Sequence, residues 1–440
     1  MTSKRSSGLQ VRILNAFVLF LAALTVLIAF AAPAPQAGRA HSAPAQLFAY
    51  VTNSGSSSVS VIDTATNTVT ATVGVEGRPI GDAFTPDGSR VYVANSGSDS
   101  VSVIDTASNT VIATIADPSF PQGLAITPDG SHVYTANSFS NNVAVIDTAS
   151  NTVIATIAAG SGAAGVAFTP DGSRAYVTNN GTDTVSVIDT ATETVIATVV
   201  VALAPVGVAI TPDGSRAYVA SNLGGSVSVI DTASNAVIAT VAVAQPVVVA
   251  ITPNGTRAYV TDNSSLSTGY VRVIDTATNT VLTTVVVGID PQDLAITADG
   301  THVYVACFSA NSVFVIDTST NTVTATIAVG ANPVGVAITP VPLNPTATAL
   351  TSSRNHSFYG QPVTFTATVT TSGPIAPTGT VNFRSGSHGI GTGTLNASGV
   401  ATFTTSILKP GLYRITALYN GDASNLHSMS AVLYQAVKRK

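Results

Sequence analysis

The chain of 440 residues is long enough for two or three domains, and only 9% of it is charged, against about 25% in an average soluble protein. A net charge of −5 leaves no basic face for nucleic acid or an anionic membrane surface. The single cysteine excludes an intrachain disulfide, so the fold must rest on its core alone. The first predicted element is an export signal. Lys4, Arg5 and Arg12 flank the start of an apolar core, Ile13–Ala32, and small residues follow. Ala43-Pro44-Ala45 is the expected cleavage pattern, which makes residues 1–45 the signal; Gly38-Arg39-Ala40 competes with it. An uncleaved membrane anchor is the alternative, because about 20 apolar residues match a membrane span. No membrane contact beyond this signal is expected.

Next comes a repeat. The motif V-I-D-T occurs seven times, with Asp63, Asp105, Asp147, Asp189, Asp231, Asp275 and Asp317 spaced by 42 residues, except for 44 between Asp231 and Asp275. Periods of about 40–45 residues with several strands per unit indicate propeller blades. The unit starting at Gly165 predicts four short strands: "GVAFTP", "SRAYVTN", "TVSVIDT" and "TVIATV". T-P-D-G between the first two is a turn in which Pro presets φ and Gly accepts positive φ. In "DTATNT" the Asp caps the turn's amides and the Asn tolerates a left-handed backbone. The ends of the array are out of phase. It enters on a second strand, "QLFAYVTN", and stops after a first strand, Gly335–Pro340. The two fragments together make one blade, so seven four-stranded blades should close as a ring over residues 46–340 and hide their edges.

"YVTN" at Tyr50–Asn53 and Tyr176–Asn179, in register with V-I-D-T and T-P-D-G, resembles the YVTN-repeat β-propeller family of surface and exported proteins. The resemblance implies a seven-bladed propeller outside the cytoplasm, and no particular reaction. After a Pro-stiffened linker, 341–345, alternating segments over 346–440 fit an immunoglobulin-like sandwich. "GQPVTFTATV", "PTGTVNF" and "GLYRITALYNGD" resemble bacterial Ig-like repeat domains. Tyr413 has the setting of a tyrosine corner. The expected fold is therefore all-β: a seven-bladed β-propeller followed by an Ig-like β-sandwich.

Chemistry is sparse. There is no C-x-x-C-H, H-E-x-x-H or G-x-S-x-G pattern, and no catalytic residue, metal ligand or cofactor is assigned. The seven repeat Asp residues are read as turn caps, since a catalytic centre is rarely seven-fold. Arg90, Arg174, Arg216 and Arg257, with His132 and His302 in the same register, are read as surface cations beside the turn. Cys307 is read as a small hydrophobe. Copy-specific information should lie in the loops between fourth and first strands and between second and third strands, on one end of the ring. There, Asp82 replaces a large apolar residue and Asp293 replaces a Gly. Glu76, Arg78 and Asp290 flank them, and these five form the candidate ligand site. A wet channel, or an Arg78–Asp82 pair, would explain the acids without a ligand. The expected function is an exported, secreted or cell-surface binding scaffold for an extracellular protein or glycan, not an enzyme. The alternative is an extracytoplasmic propeller enzyme, a lactonase-like hydrolase or an oxidoreductase.

Overall fold

A computed structural model describes residues 47–439, apart from 118, 341–343, 374, 375, 387, 423, 424, 426 and 427. The export signal and most of the linker lie outside the described residues. Over the repeat, seven four-stranded antiparallel sheets form. A typical blade runs Pro79–Phe84, Arg90–Asn95, Ser100–Asp105 and Thr110–Ala116. The first strands of successive blades adjoin all the way round, so they line the centre. The second and third strands are almost wholly buried, which explains their unbroken Val, Ile and Ala content. The fourth strand is the exposed outer edge, and there Thr alternates with apolar residues.

The ring closes as the phase of the repeat requires. Pro333–Ile338 pairs antiparallel with Phe48–Asn53, with Tyr50 opposite Ala337 and Val51 opposite Val336. The Thr339 amide donates to the Phe48 carbonyl at 2.8 Å and extends the seam. One sheet thus takes three strands from the N-terminal end of the array and one from the C-terminal end.

Neighbouring blades are clasped by a tyrosine. Tyr50, Tyr92, Tyr134, Tyr176, Tyr218, Tyr259 and Tyr304 are all buried. The Tyr92 hydroxyl donates to Asn151 Oδ1 of the next blade at 2.7 Å, and Tyr176, Tyr218, Tyr259 and Tyr304 do the same to Asn235, Asn279, Asn321 and Asn67. Tyr50 bonds Asn109 likewise. Each such bond contributes about 1 kcal/mol. These Asn residues are the ones expected only to tolerate a left-handed backbone, and each has φ between 53° and 55°. Glu193 takes the Asn position opposite Tyr134; burial first, and then the Glu193 and Asp189 charges, push that phenol up to about 12. The arginines are corrected too. Arg90 Nη1 reaches across to the Thr148 carbonyl at 2.8 Å, and Arg174, Arg216 and Arg257 repeat the bridge to Thr232, Thr276 and Thr318. They are interblade struts, not loose surface cations. His132 is too short for that reach and bonds locally to Ser131.

The turn aspartates cap as expected. Asp63 Oδ1 accepts the Ala65 amide at 2.8 Å, and Asp147 Oδ1 accepts that of Ser150 at 2.7 Å. Both turn types share one end of the ring, since Thr106 in one turn donates to the Gly88 carbonyl in the other at 2.7 Å. The copy-specific loops meet at the opposite end, where the Gly97 amide donates to the Gly77 carbonyl.

The C-terminal segment forms two facing sheets. One comprises Thr346–Ser352, Val363–Thr371 and Val400–Thr405. The other is built on Thr380–Ser385, Gly411–Tyr419 and Leu433–Lys438. Phe365, Phe383, Ile415 and Tyr419 are fully buried between them. The Tyr413 hydroxyl donates to the Lys409 carbonyl at 2.9 Å, which completes the tyrosine corner.

Candidate functional site

Each innermost strand carries a bulge, as in the register shift between Pro79 and Asp82. At the bulge the strand approaches the next blade so closely that a Cβ on Gly81 would lie 2.6 Å from the Gln122 carbonyl oxygen. Gly therefore recurs there, at 81, 123, 165, 207 and 335. Where a Thr stands in the YVTN position it secures the bulge. Thr52 Oγ1 accepts the Gly335 amide at 2.7 Å and donates to the Ile80 carbonyl at 2.6 Å.

Asp293 occupies the glycine position of its blade, and Asp82 occupies the next position of its own. The closure blade lies between them, and both acids turn toward its innermost strand. Asp293 Oδ2 accepts the Val336 amide at 3.1 Å, and Oδ1 accepts the Leu294 amide at 2.7 Å. Asp82 Oδ1 lies so near Gly335 that a Cβ there would meet it at 2.7 Å. Both Asp82 oxygens are buried and make no hydrogen bond of normal geometry. Burial, first, and the Asp293 charge, second, hold the Asp82 carboxyl well above the usual carboxylate range; the Ala337 amide offsets this in part. Burial pushes Asp293 up to about 6 against its two amide bonds. The two acids are thus coupled across one strand. The Arg78–Asp82 pair does not form, whereas Arg272 and Asp262 do pair, at 2.7 Å. A wet channel does not account for Asp82 either, since its oxygens are out of solvent contact.

Asp82 and Asp293 line a cavity of about 550 Å³ at the loop end of the central channel, to which all seven innermost strands contribute. Arg78 and Asp290 line it as well; Glu76 is exposed and stands outside it. Its wall is polarised. Acids come from the two blades flanking the closure strand, and Ala164, Val166, Val206, Val208, Val247 and Val248 face them. Gln122, Gln292, Phe120 and Phe308 complete the lining. The Arg78 guanidinium sits over the Phe120 ring, 5.3 Å from its centroid, and Phe120 stacks on the exposed Phe139 at 4.5 Å. Asp290 is fixed by Asn263 Nδ2 at 2.9 Å and Gln292 Nε2 at 2.6 Å.

The rim has a further regularity. The residue just before each innermost strand is Arg78, Phe120, Gly162, Ala204, Gln245, Asp290 or Asn332. Six of these have left-handed backbone, with φ from 54° to 69°; Gln245 is the exception. Bulky residues such as Arg and Phe adopt that region at a cost. The ring thus holds one backbone geometry and varies the side chain at each step around the mouth. The opposite end borders a larger space, about 1180 Å³, but its polar groups there include Asp129, Asp171 and Asp213, which recur from blade to blade.

Two features escape the reading of the residues. Phe120, Phe308, Gln122 and Gln292 occupy positions that carry no signal without the closed ring. Asp117 is buried, accepts the Asn137 amide group at 2.8 Å, and is pushed up to about 6 by burial. It replaces the partner that Asn95 finds in Ser102, where this blade has Ala144. Its signal was available: sister copies carry Val75, Ala159 or Val201 at that position. Cys307 is buried among apolar side chains and its thiol is pushed up to about 12, so it packs as a hydrophobe. Among the described residues no group of three or more His, Cys, Asp or Glu is placed to hold a metal ion.

Three family descriptions match parts of the chain. Residues 35–155 match "Lactonase, 7-bladed beta-propeller", residues 136–338 match "Choice-of-anchor I domain", and residues 350–438 match "Bacterial Ig-like domain (group 3)". None of these descriptions names the YVTN repeat. No curated protein matches the chain. Among solved structures, hydrazine synthase of Kuenenia stuttgartiensis is 24% identical with a TM-score of 0.56, covering 60% of this chain and 90% of its own. A protein of unknown function from Desulfotomaculum acetoxidans is 20% identical with a TM-score of 0.59, covering 66% and 98%. A Bacteroides fragilis protein provisionally described as a 6-phosphogluconolactonase is 19% identical with a TM-score of 0.57, covering 67% and 98%. At such identities the likeness is one of fold. The chain is an all-β protein, similar over its ring to seven-bladed lactonase-type propellers and over its C-terminal segment to bacterial Ig-like domains.

Proposed function

We propose that this chain is an exported, surface-associated binding scaffold, not an enzyme, and that it binds an extracellular protein or glycan at the loop-end mouth of the ring. One observation carries the reading: a clasped ring keeps the same left-handed rim backbone in six of its seven blades and changes the side chain at every blade. Variation on a fixed frame is how binding sites are built on repeat scaffolds. The apparent export signal, the Ig-like module and the choice-of-anchor match support a place outside the cytoplasm. The mouth supplies an aromatic platform, an arginine and acids, which suit recognition better than turnover.

The match of residues 35–155 to lactonase propellers favours a second reading, an extracytoplasmic hydrolase, with an oxidoreductase as its cofactor-dependent variant. Purified protein separates them. The scaffold is expected to show only the ultraviolet absorbance of its own aromatic residues and to leave gluconolactone hydrolysis at the buffer rate. A visible band from a bound chromophore, or lactone turnover above buffer, contradicts the scaffold.

A further inference from the structure

Asp82 and Asp293 stand on either side of the strand that closes the ring, Pro333–Ile338, and both turn into it. Asp293 Oδ2 accepts the Val336 amide, and a Cβ on Gly335 would meet Asp82 Oδ1 at 2.7 Å. The strand thus seals two carboxyl groups from water. Sister blades put apolar residues there: Leu124, Val166 and Val208 where Asp82 stands, and Gly123, Gly165 and Gly207 where Asp293 stands. The seam is also irregular. Its register shifts between Val51 and Asn53, and the Thr52 hydroxyl accepts the Gly335 amide at 2.7 Å.

No cation offsets the two acids. The closing strand and the innermost strands beside them, Pro121–Ile126 and Pro246–Ile251, carry no ionisable residue. Behind Asp82, Phe48–Asn53 brings Tyr50, and Arg90–Asn95 brings Tyr92 and Arg90, which is committed to the Thr148 carbonyl. Behind Asp293, His302–Cys307 brings Tyr304, Cys307 and His302, which bonds Thr301. Arg257–Asp262 and Gly269–Asp275 also pack there. Arg257 bonds the Thr318 carbonyl, Arg272 pairs with Asp262, Asp275 caps its turn, and Tyr259 and Tyr270 complete the set. Burial pushes Tyr50, Tyr304 and Cys307 up to about 12, so they stay neutral. Arg78 and Asp290 stand at the rim. Ionisation of both acids therefore puts like charges on the two sides of one strand, out of water and without a counter-charge.

We propose that Pro333–Ile338 is a proton-operated latch: it stays docked while Asp82 and Asp293 hold protons, and as both ionise it detaches locally, ahead of the rest of the ring. Detachment lets water reach both carboxylates, while Phe48–Asn53 keeps its pairing with Ser58–Asp63. Burial pushes Asp293 up to about 6, and burial with the Asp293 charge holds Asp82 well above the usual carboxylate range. The docked state therefore binds more protons than the detached one, and opening grows as pH rises through 6 and beyond. The strand also gives Val334 and Gly335 to the mouth. The latch is nonetheless a property of the free chain and stands whether or not the mouth binds a ligand.

The test is hydrogen exchange by mass spectrometry on the full chain, without ligand, at pH 5 and pH 8, read as protection factors so that the chemical exchange rate cancels. The innermost strands Pro121–Ile126, Ala163–Phe168 and Pro205–Ile210 are references of the same geometry. From pH 5 to pH 8, protection of the amides from Val334 to Thr339 should fall by at least about tenfold relative to these references. Asp82→Val with Asp293→Gly, which restores the repeat consensus, should hold the closing strand at the protection of the references at both pH values. Asp82→Asn alone keeps the side-chain shape and the Asp293 amide bonds, and should leave a smaller fall. Equal protection of the closing and reference strands in the parent at both pH values overturns the proposal. So does a fall shared by every reference strand, which is loosening of the whole ring, or a fall that persists in the consensus pair. If that pair does not fold, a fall of the parent's size in Asp82→Asn overturns it.

Discussion

Deletion of Pro333–Ile338 is expected to abolish the monomeric, cooperatively folded ring. This strand is one quarter of the closure blade, and its removal leaves Phe48–Asn53 with an unpaired edge. It also withdraws Val336 from a core shared with Val51, Ile62 and Val315, and it takes the Val336 amide from Asp293. An open propeller presents bare strand edges at both ends, and such edges pair with other chains. Size-exclusion chromatography with light scattering should show oligomers or aggregate, and the thermal transition should broaden or vanish. A deletion variant that stays monomeric with the parent's melting curve would mean that the seam carries no weight.

The second large effect concerns pH. Asp82 and Asp293 hold their protons more tightly in the folded chain than an unfolded Asp, whose pKa is about 3.9. The folded state therefore binds more protons across that interval, and stability falls as pH rises. For Asp293 the loss starts near pH 4 and is complete above about 6; for Asp82 it extends further upward. Asp117, also pushed up to about 6 by burial, acts in the same direction. The turn aspartates act oppositely. Asp317 is held at about 2 by the Ser319 hydroxyl and the Thr320 amide, so its contribution is present above pH 4 and lost as pH falls toward 2. Arg78 and Asp290 are the other charged groups lining the mouth, one of each sign. Stability should accordingly peak in mildly acidic solution. Asp82→Val with Asp293→Gly should gain about 1–3 kcal/mol at pH 8 and nothing at pH 4. Urea unfolding at the two pH values checks this. A gain of equal size at both would assign the effect to packing, and a loss at pH 8 would make the acids structural clasps.

How much of this the residues disclose depends on distance along the chain. The blades were legible because V-I-D-T, T-P-D-G and the alternation between them act within one unit. Closure was legible because the array starts and stops out of phase. The acids stood out because sister copies supply a local reference, with Gly or an aliphatic residue where Asp293 and Asp82 stand. What stayed hidden crosses from blade to blade. Tyr92 and Asn151 are 59 residues apart, and neither strand pattern nor turn chemistry links them. The Arg90 strut to Thr148 spans 58 residues and looks like a surface charge until the next blade is in place. The left-handed rim was hidden for a different reason. Arg78 and Phe120 are residue types that ordinarily avoid positive φ, so nothing in their identity signals it. Glu76 shows the reverse error. Proximity in the chain to Asp82 placed it in the candidate site, but it is exposed on the loop before the rim and does not line the cavity.

The measurement that bears most directly on the binding-end reading is a glycan and extracellular-protein array probed with four forms of the full chain. These are the parent, Arg78→Ala with Phe120→Ala, Asp82→Asn with Asp293→Asn, and Glu193→Asn as a control at the opposite end of the ring. The ligands that the parent captures should bind both mouth variants at least about tenfold more weakly and the control as well as the parent. Ligands captured equally by the parent and both mouth variants, or lost with Glu193→Asn alone, would contradict the assignment of the loop-end mouth as the binding site.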